Sequence, residues 1–170
     1  MTKTNQERLL EWLSDAHAME SEAETMLKGQ AARLEHYPQL QQRIQQHVEE
    51  TREQARLLEQ RIEALGGSRS TIKDALGSMA ASLHAAGNAM MSDEVVKGSG
   101  MSYAFEHLEI ATYRAIIAAA RKVGDAETEA VCRRILAQEE AMADWLAGHL
   151  DQVVLDYLAR DETEGQTAKR

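Results

Sequence analysis

Glu20, Glu50, Glu106 or Glu109, and Glu139 or Glu140 stand at or beside apolar stripes, near the middle of four long helical segments. Carboxylates in that position need compensation. Burying an ionised group costs several kcal/mol unless it is paired, against a total folding stability of about 5–15 kcal/mol. Pro38 and Gly124 mark two hairpin turns, and each pair of glutamates lies about equally far from its turn along rods that rise about 1.5 Å per residue. Once folded, the acids would share one layer, which then requires protons, arginines or metal ions.

Two of these acids, Glu106 and Glu109, are three residues apart with Tyr113 one turn further on, and residues at that spacing share a helix face. Paired carboxylates on a half-buried face suit a hard cation, and two-metal bundle cores draw carboxylates from all four helices. Tyr113 is a candidate hydrogen-bond donor to a ligand carboxylate. In the last helical segment either Glu139, flanked by Ile135, Met142 and Leu146, or Glu140, flanked by Leu136, Ala143 and Ala147, can face inward, with Asp144 a turn beyond Glu140. His17 and His47 each precede a candidate acid by three residues, whereas His107 adjoins Glu106 and so points about 100° away. Cys132, beside Arg133 and Arg134, has no paired acid or base signature for nucleophilic work. The methionines read as core fillers, and an oxygen-rich donor set favours iron or manganese.

The elements that must position these groups are helical. With 170 residues, 44% hydrophobic, one proline and one phenylalanine, the composition favours helix and starves a sheet of aromatic and β-branched residues. Thr4 and Glu7 have the spacing of a capping box, and apolar residues from Leu9 to Leu34 then recur at helical intervals, predicting a helix over Gln6–His36. Pro38 opens a second helix that Gly66-Gly67 stops. A shorter piece from Ser70 to Met91 reads as a crossover, longer than any hairpin needs. Ser92, Asp93 and Glu94 start the next helix, which Gly98-Ser99-Gly100 could bend or delay, and Gly124-Asp125 ends it and caps a last helix over Ala126–Leu158. The expected fold is all-α: an antiparallel ferritin-like four-helix bundle over residues 1–160, with a polar tail, 161–170, too poor in apolar residues to hold a fixed shape.

A net charge of −9 without a basic stripe argues against nucleic acid. Arg43, Arg52, Arg56 and Arg61 alternate with acids as a solvated helix face does. No segment has the roughly 20 apolar residues of a membrane span, and the start lacks the pattern of a signal peptide. A lone cysteine fits a reducing compartment, so the expectation is a cytoplasmic protein.

Taken together, Ser14-Asp15 followed by Glu20, His47-x-Glu49-Glu50-Thr51-x-x-Gln54, Glu106-His107-x-Glu109-Ile110-Ala111-x-Tyr113, and Glu139-Glu140 with Asp144 resemble the ferritin-like YciE/YciF proteins, a bacterial group of helical bundles with a di-iron centre. The match spans Leu9 to Leu158. The resemblance implies metal ligation by Glu20, Glu50, Glu106, Glu109 and Glu140, with His47, Glu139, Asp144 and His17 as further candidates. It also implies two iron ions, or manganese, reacting with dioxygen or peroxide in stress-related iron or peroxide handling, and self-association as a homodimer. The Glu-x-x-His pairs of many di-iron bundles are absent: Arg52 follows Glu49 by three, and Met142 and Ala143 follow Glu139 and Glu140 by three. The alternative is a metal-free helical homodimer whose inward acids pair with arginines such as Arg33, Arg114 or Arg121.

Overall fold

A computed structural model of the chain describes residues 2–68, 93–163 and 165–168. Among them are four helices, α1 (Asn5–Ala31), α2 (Pro38–Ala64), α3 (Glu94–Val123) and α4 (Ala126–Asp161), and no strand. The capping box forms as the sequence predicts: Glu7 N–H donates to Thr4 Oγ1, and the Glu7 carboxylate accepts from Thr4 N–H. Helix α1 ends five residues earlier than predicted. There the carbonyl of Ala31 accepts from Gln41 Nε2 at 2.8 Å, and Pro38 disfavours a helical Tyr37 before it. The glycines at 98 and 100 neither interrupt nor delay α3, which runs unbroken while Ser99 bonds the carbonyl of Val95.

Pairings along the rods run in opposite senses throughout. Glu24 meets Arg52 across α1 and α2, Glu20 and Gln30 meet Tyr113 and Ser102 across α1 and α3, and Gln54 and Arg61 meet Gln138 and Asp125 across α2 and α4. Helices α3 and α4 form the second hairpin, closed by Gly124 at φ 77°. The bundle is therefore antiparallel at every shared face, and α2 ends beside the start of α4 while α3 begins beside the end of α1. The stop after α2 depends on Gly67, because a Cβ there would lie 2.5 Å from Ile62 Cγ2 and 2.9 Å from the Ile62 carbonyl. The expected crossover from Ser70 to Met91 lies outside the described residues.

Two apolar clusters fill the interior. One joins Leu9, Leu13, Leu58, Ile62, Ile116 and Ile135; the other joins Leu27, Leu40, Ile44, Val95, Met142 and Leu146. Between them in sequence, on all four helices, come the buried polar residues: Glu20, His47, Thr51, Gln54, Glu106, Glu109 and Glu139. No helix of the described residues is long and apolar enough to cross a membrane. The buried Tyr37 hydroxyl donates to the carbonyl of Ala168 at 2.6 Å, the partner that a buried phenol requires.

Arg61 ties the two hairpins together at one end. Its guanidinium, 13% exposed, bonds both carboxylate oxygens of Asp125 at 3.1 Å and the hydroxyl of Thr128 at 3.1 Å. Asp125 also caps α4 by accepting from Thr128 N–H. Arg61→Ala should therefore cost about 2 kcal/mol, seen as a fall of about 4–8 °C in melting temperature; an unchanged melt would show that the contact contributes nothing.

Candidate metal centre

The acids face inward because of the side chains that share their faces. Glu20 lies among Leu13, Ala16, Ala23 and Leu27 on α1, all buried, and cannot leave the core without exposing that face. On α3, Glu106, Glu109 and Tyr113 continue into the buried Ile116, Ile117 and Ala120. On α4, Glu139 stands between Ile135 and Met142. Glu20 and Glu139 are 0% exposed, Glu109 1% and Glu106 2%. Helix α2 presents no buried carboxylate but a neutral or cationic series at helical spacing, His47, Thr51 and Gln54, before the apolar Leu58.

His47, Glu106, Glu109 and Glu139 each offer a ligand atom, and these atoms all lie within 4.8 Å of one another. His47 Nε2 is 3.3 Å from both Glu106 Oε2 and Glu139 Oε2, without the alignment of a hydrogen bond to either. Its Nδ1 is 2.7 Å from Glu50 Oε2. Tyr113 donates to Glu20 Oε1, and Gln54 Nε2 donates to Glu139 Oε1 and, at 3.1 Å, to Gln138 Oε1.

The electrostatics follow from burial. Desolvation pushes the Glu20 carboxyl far up, the charge of Glu139 adds to it, and the Tyr113 hydroxyl only partly opposes it. Glu109 is raised by burial and then by the charges of Glu20 and Glu139. Burial also lifts Glu106, but His47 pulls it back to about 7. For His47, burial acts against the charged ring, yet the nearby carboxylates of Glu106 and Glu139 and the bond with Glu50 outweigh it and hold the imidazolium to about 11. Without a cation, these groups hold protons in a core that gives them few other partners.

The donor set fits a cation. Glu20 Oε2, Glu106 Oε2, Glu109 Oε1 and Glu139 Oε2 are buried without a hydrogen-bond partner, whereas native interiors satisfy most such atoms. Three carboxylates and one imidazole, with a fourth carboxylate close by on α1, match the hard and borderline metals that oxygen and nitrogen select.

The other residues singled out from sequence fall elsewhere. Glu50 lies at the border, its side chain 19% exposed, and bonds His47, Arg43 at 3.2 Å and Gln46 at 2.8 Å. Burial opposes its charge, but His47 and Arg43 outweigh that and hold its carboxyl below the ordinary range. It thus orients His47 rather than joining the four-ligand group. Glu140 points outward at 44% exposure and pairs with Arg114 at 2.7 Å; the inward position on α4 belongs to Glu139, because Ile135 and Met142 occupy its face. Asp144 is exposed. His17 is half-buried and outside the group, its ring pushed toward neutrality by burial despite Glu59. His107 is exposed against the ring of Tyr103. Burial drives the Cys132 thiol up to about 12, the state of an inert core cysteine.

Sequence reasoning used Thr51 and Gln54 only as part of the α2 motif and gave them no place in the site. Gln54 is 0% exposed, and the signal for it was the spacing His47, Thr51, Gln54, Leu58, obscured by the charged residues interleaved on the same helix.

A family model described as "Domain of unknown function (DUF892)" matches residues 4–159. Among solved structures, a protein from Xanthomonas campestris is 47% identical, with 94% of this chain and 99% of that one covered and a TM-score of 0.80. The Escherichia coli stress protein YciF is 22% identical over 88% of this chain and 96% of its own, with a TM-score of 0.71. YcfI from Rhodopseudomonas palustris is 24% identical over 85% and 94%, with a TM-score of 0.65. The last two share the fold.

Proposed function

Because the chain belongs to the DUF892 family, the group that its YciE/YciF-like motifs indicate, we propose that it is a ferritin-like protein whose bundle core binds two iron or manganese ions. The single observation that carries this reading is the convergence of His47, Glu106, Glu109 and Glu139 within 4.8 Å, with buried, unpartnered carboxylate oxygens. In it, His47 through Nε2, Glu106, Glu109 and Glu139 would hold the metal, and Glu20 would complete the set from α1. Bound iron or manganese would supply redox reactivity toward dioxygen or peroxide. The protein's own residues orient and insulate: Glu50 fixes the His47 ring through Nδ1, Tyr113 holds Glu20, and Gln54 holds Glu139, while the two apolar clusters limit solvent. Iron or peroxide handling under stress is the wider role proposed, supported by the name of YciF.

Elemental analysis of protein purified without chelator tests this directly. About two equivalents of iron or manganese per chain are expected, and ferrous ion added to metal-free protein should raise its melting temperature. Absence of bound metal, with no shift on adding iron or manganese, would overturn the centre.

A second reading, a helical interaction protein, draws on the description of YcfI as a structural protein and on one surface. Met101, Ala104, Leu108, Ala111, Ala115 and Ala118 recur at three- and four-residue spacing on α3 and are all exposed, a seam of the kind that pairs helices. The core pairs with arginine that this reading invoked do not occur among the described residues: Arg33, Arg114 and Arg121 bond Glu94, Glu140 and Glu129 outside the cluster. We propose that the seam joins two copies of the chain. Leu108→Glu should shift sedimentation from dimer to monomer with metal content unchanged, and a wild-type protein that sediments as a monomer at all concentrations would end the idea.

A further inference from the structure

Hydroxyls inside these helices bond their own backbone. Ser14, Ser21, Thr25, Ser99 and Thr112 each donate to the carbonyl four residues back, at 2.8–3.1 Å, the usual habit of such residues. Thr51 does not. It is 1% exposed, and its hydroxyl has no partner among the described residues. One turn on, Gln54 is 0% exposed and its Oε1 is likewise unpartnered. The orientation of that amide is fixed, because Nε2 donates to Glu139 Oε1 and Gln138 Oε1, and reversing it would set oxygen against a carboxylate. Thr51 and Gln54 share a face of α2 with His47, whose Nε2 is 3.3 Å from the unpartnered Oε2 of Glu139.

These two atoms specify a ligand. Gln54 Oε1 can only accept, so the ligand must carry a hydrogen-bond donor, while the Thr51 hydroxyl can donate to the ligand's oxygen. Both side chains are neutral, so they add no charge to balance a further cation. Hydrogen peroxide has two O–H donors and two acceptor oxygens; dioxygen has no donor, so it would leave Gln54 Oε1 desolvated and unpaired and offer Thr51 only a poor acceptor. We propose that Thr51 and Gln54 form an oxidant subsite that takes hydrogen peroxide in preference to dioxygen. The proposal rests on the metal-centre reading and narrows its substrate. Reduction of one hydrogen peroxide breaks its O–O bond with two electrons, one from each of two ferrous ions, and two protons, leaving two ferric ions and two waters.

Thr51→Val tests the subsite, since it removes the hydroxyl at nearly constant volume. Ferrous-loaded wild type, mixed with either oxidant in a stopped-flow instrument, should be oxidised at least about tenfold faster per mole of peroxide than of dioxygen, as expected where a site is built to bond a hydroxyl. The variant should lose about tenfold or more of the peroxide rate and keep its dioxygen rate within about twofold. A crystal structure of the protein loaded with redox-inert zinc gives an independent readout: one ordered solvent oxygen within hydrogen-bond distance of both Thr51 Oγ1 and Gln54 Oε1, absent from the variant with the zinc ligands unmoved. Equal slowing toward both oxidants, or a Thr51 hydroxyl bonded to the carbonyl of His47, would overturn the subsite while leaving the metal centre standing. Failure of wild type to bind zinc or iron at all would remove the centre itself, and the subsite with it.

Discussion

Glu139→Gln should lower metal affinity by more than about 100-fold, while Glu140→Gln, one residue away, should leave it within about twofold. The difference rests on the side of α4 that each residue occupies. Glu139 is 0% exposed, belongs to the four-residue cluster, and touches two of the α2 side chains that line it, His47 and Gln54. Glutamine keeps the shape and the acceptor facing Gln54 but removes the charge that a cation requires. Glu140 only pairs with Arg114 across the surface, and such exposed pairs contribute about 0–1 kcal/mol. Isothermal titration of both metal-free variants with manganese or ferrous ion under argon reads the ratio. Equal loss in the two variants, or none in Glu139→Gln, would refute the placement of the centre.

That pair of variants also marks where the sequence stopped being informative. The helical class, both hairpin turns, the Thr4 capping box and the layer of inward acids follow from local signals: periodicity, proline, glycine and spacing. The choice between Glu139 and Glu140 does not, because each has apolar neighbours at helical spacing, and only the rotation of α4 against α2 and α3 separates them. Glu50 and His47 show the same limit. They are three residues apart on α2, only about 60° apart around the helix, so spacing alone does not say which reaches the interior; packing of Ile44, Val48 and Leu58 turns His47 inward and leaves Glu50 at the rim. On α3 the sequence left Glu106 or Glu109 open, and at the same three-residue spacing both are buried. The neutral pair, Thr51 and Gln54, entered only as part of the α2 motif, because charge marks a buried site and neutral polar groups carry none.

The same arrangement makes the metal-free protein sensitive to alkali. Glu20, Glu106 and Glu109 all have folded-state pKa values above the ordinary 4.5, Glu106 at about 7 and the other two higher in direction. A carboxyl raised in this way contributes fully below its unfolded value, and that contribution is lost as pH rises through the folded one. His47, lifted from 6.5 to about 11, acts in the same sense at higher pH: the folded state retains a proton that the unfolded chain releases. Glu50, held low, works oppositely, but its contribution disappears only as pH falls below about 4.5. Metal-free protein should therefore be most stable near pH ~5 and weaken steadily toward pH ~8.5. The displacement of Glu106 alone corresponds to roughly 3 kcal/mol, a fall of about 6–12 °C in melting temperature for a chain of this size. Metal reverses the slope, because ligands must be deprotonated to bind it and affinity rises with pH. At a free concentration of about 100 times the dissociation constant, the bound ion restores about 2.7 kcal/mol. Calorimetric scans of chelated and manganese-loaded protein across this range should diverge as pH rises, and Glu109→Gln should flatten the chelated curve by supplying permanently the neutral state that burial favours. A chelated protein that instead gains stability from pH ~5 to ~8 would mean that these carboxyls are ionised and paired, and that the core has no need of a cation.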